Sequence, residues 1–277
     1  MPLDREAIRA LGLLRDVAAA ESRDLVVIGA TVPLVLIDRR HGREGEGRLT
    51  RDVDAVIAAK TWAEFSGLKR RLVAAGFREG EEPHRLYLGT AEIDLIPYSP
   101  ALAPGDRLEW PGTGLAMSTL GIPEALEHAR LEPIEENLVL RMVPIPGCVL
   151  LKLIAYSDRP AERVRDLTDV IHCFERYDED GTRRFDVASG RSVDEVAIQY
   201  EEAGAYLLGT EVGAIASAGS LRVVRTIVDA VRDEDAGLVR EALRGEARHL
   251  DRDKRAQYLF RLFRVFSAGL GGANGAR

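Results

Sequence analysis

Asp52 and Asp54 alternate inside an otherwise apolar run, Val53, Ala55, Val56 and Ile57, and this pattern constrains the chain more than any other. A period of two belongs to a β-strand, whose residues two apart point to the same face. Two carboxylates therefore project side by side from one strand. Further along, Glu92-Ile93-Asp94-Leu95-Ile96 reads as another strand, with Asp94 as its central acid. Asp disfavours strands, so acids inside apolar runs need a reason. Three carboxylates converging on one point repel each other and raise one another's proton affinity. A divalent cation removes that conflict, and Mg²⁺ prefers oxygen ligands while keeping water or phosphate in its remaining positions. Asp52, Asp54 and Asp94 are thus candidate metal ligands for phosphoryl chemistry. The bland alternative for the pair is a solvated strand face or a turn.

The 277 residues suffice for one large or two ordinary domains. A net charge of -7 argues against a protein that simply coats nucleic acid, although a local basic patch stays compatible with it. No apolar run approaches the length of a bilayer span, so no membrane partner is expected. The segment from Met1 to Glu21 carries Asp4, Arg5, Glu6, Arg9 and Arg15 among apolar residues, which reads as an amphipathic helix and not a signal peptide. Cys148 and Cys173 lack metal spacing and read as buried thiols of a cytoplasmic protein. The five histidines form no H-x-x-x-H zinc pattern.

Leu25-Val26-Val27-Ile28 reads as a buried strand ended by Gly29, and Ala30 to Ile37 as a helix starting at its carboxyl end. Arg39 to Arg51 is glycine-rich and charged, a loop. Thr61-Trp62-Ala63-Glu64 is a capping box, and Gly76 is the expected stop of the helix it opens. Arg85–Leu88 and Ala91–Ile96 flank Gly89-Thr90 as a hairpin with a two-residue turn. Pro100 to Gly114 reads as a long loop containing Trp110, and Leu138–Val143 as one more strand. From Gly147 onward the periodicity is helical, with candidates at Cys148–Tyr156, Ala161–Tyr177, Val193–Leu208, Leu221–Val231, Asp235–Arg244 and Lys254–Ala268. The pattern predicts an α+β fold: a mixed-sheet catalytic domain over 1–145, an all-helical domain over 146–268 and a disordered tail over 269–277.

The Gly29-Ala30-Thr31 step lies between strand and helix, where free N–H groups favour an anion. A tight turn needs a glycine there in any case. Lys152 on a helix edge reads most simply as a snorkelling lysine. Asp166 and Asp169, three apart, share a helix face that is ordinarily solvated. Arg240, Arg244, Arg248 and Arg252 recur every four residues and would line one face of a single helix, but interleaved acids favour a salt-bridged surface. His84-Arg85, just before the hairpin, is either a contact to base or acceptor or a surface turn.

Together Gly29-Ala30-Thr31, Asp52-Val53-Asp54 and Asp94 resemble the nucleotidyltransferase superfamily of polymerase β-like fold. The runs Arg48-Leu49-Thr50-Arg51-Asp52-Val53-Asp54, Lys152-Leu153-Ile154-Ala155-Tyr156-Ser157-Asp158-Arg159 and Arg165-Asp166-Leu167-Thr168-Asp169 resemble its AbiEii/AbiGii branch, with the resemblance covering residues 24–175. By that resemblance Asp52, Asp54 and Asp94 hold Mg²⁺ or Mn²⁺ and Asp94 also serves as base. Gly29, Ala30, Thr31 and Arg51 bind the nucleoside triphosphate. Lys152 contacts the nucleotide, and Asp166 or Asp169 is the acid of the later motif, Asp166 on the binding side and Asp169 on the catalytic side. The family has Gly or Ser where this chain has Ala30. The resemblance implies transfer of a nucleoside monophosphate to a hydroxyl, on the 3′ end of tRNA or on a protein. It also implies a toxin of a type IV toxin–antitoxin system, with an antitoxin protein as partner. Two alternatives stand beside it: transfer to a small molecule of the aminoglycoside type, and a nucleotide-binding module without catalysis.

Overall fold

Both faces of Leu25–Ile28 (β1) are buried, as an unbroken run of Leu, Val, Val and Ile requires. The computed structural model describes residues 3–42, 52–231, 233–244 and 251–272. It divides into two units, Met1–Pro144 and Ile145–Arg277.

In the first unit, helix α1 (Arg5–Ala20) begins on Asp4, whose side chain accepts from the Glu6 N–H. It buries Ala7, Ala10, Leu11, Leu14 and Ala18, one stripe at helical spacing. After β1 the chain turns at Gly29 into α2 (Thr31–Pro33), which continues as a π-helical stretch over Leu34–Arg39. Strand β2 (Asp52–Ala58) carries the paired acids. Helix α3 (Trp62–Ala74) opens with Thr61 Oγ1 accepting from Glu64 N–H at 3.2 Å. The Glu64 carboxylate reaches back one residue beyond the cap, accepting from Lys60 N–H at 2.8 Å. The helix stops as expected at Gly76, φ 107°: Gly76 N–H donates to Val73 and Phe77 N–H to Leu72, the two bonds of a Schellman motif.

Strands β3 (Arg78–Glu79), β4 (Arg85–Leu88) and β5 (Ala91–Tyr98) follow, with Gly89-Thr90 joining the last two as the expected tight hairpin. The side chain of Glu6 on α1 accepts from the Thr90 N–H of that turn. The expected loop from Pro100 is partly ordered: β6 (Arg107–Glu109) pairs with β7 (Ala116–Ser118), and Trp110 is buried behind them. A short α4 (Ile122–Glu127) leads to β8 (Arg130–Glu135) and β9 (Leu138–Met142). The main sheet has seven strands in the order β3-β4-β5-β2-β1-β9-β8. It is mixed: β2 runs parallel to β5 and antiparallel to β1, while β9 runs parallel to β1. The strands with the acids are therefore central, where both edges are paired and the backbone is held most firmly.

The second unit is built of helices: α5 (Ile145–Asp158), α6 (Val164–Arg176), α7 (Arg183–Gly190), α8 (Ala203–Ile215), α9 (Ala218–Asp229), α10 (Gly237–Arg244) and α11 (Arg252–Gly272). It departs from the sequence expectation in three places, of which the first is α7, a helix that none of the expected ones covers. The expected helix Val193–Leu208 instead begins at Ala203, and its first part is a hairpin of β10 (Ser192–Val193) and β11 (Val196–Ala197). The turn residues Asp194 and Glu195 have φ of 52° and 64°, and Arg261 and Arg264 of α11 hold them, Arg264 by Asp194 and Arg261 by the carbonyls of Val193 and Val196. Of the tail expected over 269–277, residues 269–272 are the end of α11, and 273–277 lie outside the described residues. A side chain at Gly269 would strike the Tyr206 carbonyl, and Gly209 on α8 is equally closed by the Phe266 carbonyl. The two helices approach backbone to backbone through these glycines. As the separate candidates Asp235–Arg244 and Lys254–Ala268 anticipate, α10 ends at Arg244 and α11 starts at Arg252, so Arg240, Arg244 and Arg252 do not share one helix, and Arg248 lies outside the described residues. Among the described residues no helix is long and apolar enough to cross a membrane.

Candidate active site

The register of β2 and β5 assembles the acids. Asp54 stands opposite Asp94 and Asp52 opposite Glu92. Partners in a parallel ladder share a sheet face, so four carboxylates lie on one face across two central strands. Alternate residues Val53, Ala55 and Ile57 fill the core on the other face. Glu92 reads in the sequence only as a strand member. A signal for it exists, because Glu92-Ile93-Asp94 repeats the acid–apolar–acid pattern of Asp52-Val53-Asp54. Burial pushes the Glu92 carboxyl above its usual range. Arg85 opposes that shift, and Asp52 and Asp94 add to it.

Ile28 on β1 pairs with Asp54, and the next residue, Gly29, turns the chain across it. Gly29 has φ 71°, and a Cβ built there would lie 1.9 Å from Asp54 Oδ2. Only a glycine meets both demands. Ala30 is half-buried in helical conformation. Thr31 is fully buried, and its hydroxyl has no hydrogen-bond partner among the described residues. The hydroxyl expected to serve as a phosphate donor is thus buried and without a partner beside the Gly29 turn. Arg51 lies outside the described residues.

Arg85, on β4 opposite Asp94, closes over the third acid. Its Nε donates to Asp94 Oδ1 at 2.9 Å and its Nη2 to Oδ2 at 3.0 Å, a bidentate pair. Nε also lies 2.9 Å from Glu92 Oε1. The hydrogen bond to Asp94 is the main reason the guanidinium is held protonated even more firmly than usual. His84 Nε2 is 3.8 Å from Asp94 Oδ2, and the His84 ring lies 5.4 Å from that of Trp110, which in turn stacks near Trp62. His84, in the turn before β4, and Arg85, its first residue, are both partly exposed and both face the acids.

An all-oxygen donor set suits a hard divalent cation, and the bare Gly29 backbone leaves room beside Asp54. The arrangement as it stands does not fit one. Among the described residues no three His, Cys, Asp or Glu side chains converge as a ligand set, and both oxygens of Asp94 are taken by Arg85.

Lys152, Asp166 and Asp169 belong to the second unit and come together there. Lys152 Nζ lies 3.0 Å from Asp166 Oδ1 and 2.7 Å from Asp169 Oδ2. The lysine does not snorkel and the acids are not a solvated face: their side chains are 7% and 13% exposed. Burial works against the ammonium, but Asp166 and Asp169 outweigh it and the Lys152 proton is held above its usual value. A lysine pinned by two carboxylates is fixed in place, which suits a positioning element as well as a structural one.

No protein-family model and no curated protein matches the chain. Among solved structures, the antibiotic-resistance factor ANT(2'')-Ia is similar at 15% identity, covering 60% of this chain and 82% of that one, with a TM-score of 0.34. A protein from H. pylori, described as an inferred nucleotidyltransferase, is similar at 12% identity over 98% of both chains, with a TM-score of 0.36.

Proposed function

We propose that the protein is a nucleotidyltransferase, moving a nucleoside monophosphate from a nucleoside triphosphate to a hydroxyl with the help of Mg²⁺ or Mn²⁺. One observation supports this most: Asp54 faces Asp94 across adjacent parallel strands, and the Gly29 turn passes directly over Asp54. In the reaction the acceptor oxygen forms a bond to the α-phosphorus, the bond to the bridging oxygen breaks, and pyrophosphate leaves. The hydroxyl proton passes to a carboxylate of the acidic face. The backbone of the Gly29 step approaches the phosphates, which a side chain there would prevent. Asp52, Asp54 and Asp94 are the residues that would hold the cation, Asp94 only with its oxygens clear of Arg85. The acceptor class follows the sequence resemblance, tRNA or protein, as does the role of a toxin held by an antitoxin.

Incubating the protein with each labelled nucleoside triphosphate, Mg²⁺ or Mn²⁺, and either total RNA or an aminoglycoside panel tests this reading. Label should enter RNA or protein and be lost with Asp54→Ala while that variant keeps its melting temperature. Transfer that survives Asp54→Ala removes the assignment. The bidentate Arg85–Asp94 pair favours a second reading, a nucleotide-binding module without turnover, which any pyrophosphate release would exclude.

A further inference from the structure

Resting on the nucleotidyltransferase reading, we propose that His84, Trp110 and Trp62 form a platform on which a nucleobase stacks beside the acidic face. The rings run in series away from Asp94. His84 Nε2 is 3.8 Å from Asp94 Oδ2, the His84 and Trp110 rings are 5.4 Å apart, and those of Trp110 and Trp62 are 6.0 Å apart. The outer two, His84 and Trp62, are part-exposed, while Trp110 between them is buried. Rings that only fill a core close off together, whereas here the outer two keep surface in water. Every nucleobase has a flat π-face that stacks on such rings. The Trp110 indole gives a second sign. Its Nε1–H is buried with no acceptor among the described residues, although a buried indole N–H usually has one. The edge of a base carries accepting nitrogens and carbonyl oxygens, and an apolar side chain laid on the rings would offer none.

The backbone under each ring is tied down. Trp62 is the first residue of α3, directly after the Thr61 cap. The His84 carbonyl accepts from Leu95 N–H at 2.8 Å, and the Pro83 carbonyl before it accepts from Lys69 Nζ at 3.0 Å. Trp110 N–H donates to the Leu115 carbonyl at 2.9 Å, and the Trp110 carbonyl accepts from the Thr113 hydroxyl at 3.0 Å. A platform already in place spares its ligand part of the ordering cost of binding. The base of the triphosphate and the terminal base of an RNA acceptor share the chemistry that these rings recognise.

Trp62 and Trp110 are the chain's only tryptophans, so its intrinsic fluorescence reports on the platform itself. The full chain is titrated without metal against the four nucleoside monophosphates, ribose 5-phosphate and a short single-stranded RNA. Nucleotide or RNA should quench the emission, and ribose 5-phosphate, which lacks the base, should not. Quenching by monophosphates points to the base of the triphosphate, and quenching by RNA alone to that of the acceptor. Trp62→Leu keeps apolar bulk and loses the flat face, so it should weaken binding on the order of ten-fold, and Trp62→Phe should restore most of it. Rings that only prop the fold would lower the melting temperature of Trp62→Leu without moving its affinity. No quenching, equal quenching by ribose 5-phosphate, or unchanged affinity in Trp62→Leu each overturns the platform. If Trp62→Leu does not fold, unchanged affinity in His84→Leu overturns it equally. Label transfer that is lost with Asp54→Ala leaves the enzyme reading standing in all these cases. If neither nucleotide nor RNA binds and no label is transferred, the two fall together.

Discussion

Gly29→Ala tests the closest approach in the candidate site. Two separate effects act there. The residue sits at φ 71°, where an L side chain costs roughly 1–2 kcal/mol. The new methyl would also lie 1.9 Å from Asp54 Oδ2 and 2.6 Å from its Cγ, so either the turn or the acid must move. Forcing extra atoms into a packed site costs about 1–3 kcal/mol. Together the loss is about 3 kcal/mol, which for a unit of this size lowers the melting temperature by roughly 10 °C. The two effects separate in a double-mutant cycle. In an Asp54→Ala background the carboxylate is gone but the Cβ at position 54 still lies 2.8 Å from the new methyl, so Gly29→Ala should cost less than in the parent and more than the conformational part alone, roughly 1–2 kcal/mol. Denaturant titration of the four proteins measures both values. Equal costs in the two backgrounds would show that Asp54 is not what the glycine accommodates. A cost below about 0.5 kcal/mol in the parent would refute the turn geometry itself.

Lys152→Met should destabilise the protein by about 3–5 kcal/mol, because it leaves Asp169 buried without its counter-ion and Asp166 with only Arg163, 3.7 Å away. Adding Asp166→Asn and Asp169→Asn should recover most of that in urea titration, and a well-tolerated single substitution would contradict the burial of the trio. Glu64 is held below its ordinary value of 4.5, first by the Lys60 N–H and then by Arg23. A depressed carboxyl stabilises the fold above that value and loses the contribution as pH falls through its lower folded value. Glu64→Gln should therefore flatten the acid limb of melting temperature against pH, and parallel limbs for parent and variant would count against the capping bond.

Local signals make much of the first unit readable in advance. The two-residue period places Asp52 and Asp54 on one strand, Gly89-Thr90 marks the hairpin, and Thr61, Glu64 and Gly76 bound a helix, since each of these depends on neighbours a few residues away. What stays hidden depends on distant partners. That Asp94 is gripped by Arg85 requires the β4–β5 register and a side-chain conformation. The β10–β11 turn uses Asp194 and Glu195 at positive φ, where glycine would have announced it, because Arg261 and Arg264 on the last helix hold it. Lys152 resembles a surface residue because α5 is apolar nearly all round, so no polar face identifies which side is out. Gly269 resembles the start of a tail because a glycine that admits a neighbouring backbone and one that ends a helix are written alike.

The grip of Glu6 on the Thr90 amide joins the opening helix to the tip of the hairpin whose second strand bears Asp94. Gly89 sits at φ 58°, where a side chain is strained, and one placed there would push the Glu6 carboxylate off the amide. Anything that pries the helix loose, such as a bulky fusion ahead of it, would slacken a strand more than eighty positions downstream. A purification tag on a protein meant for measuring the chemistry therefore belongs at the other terminus.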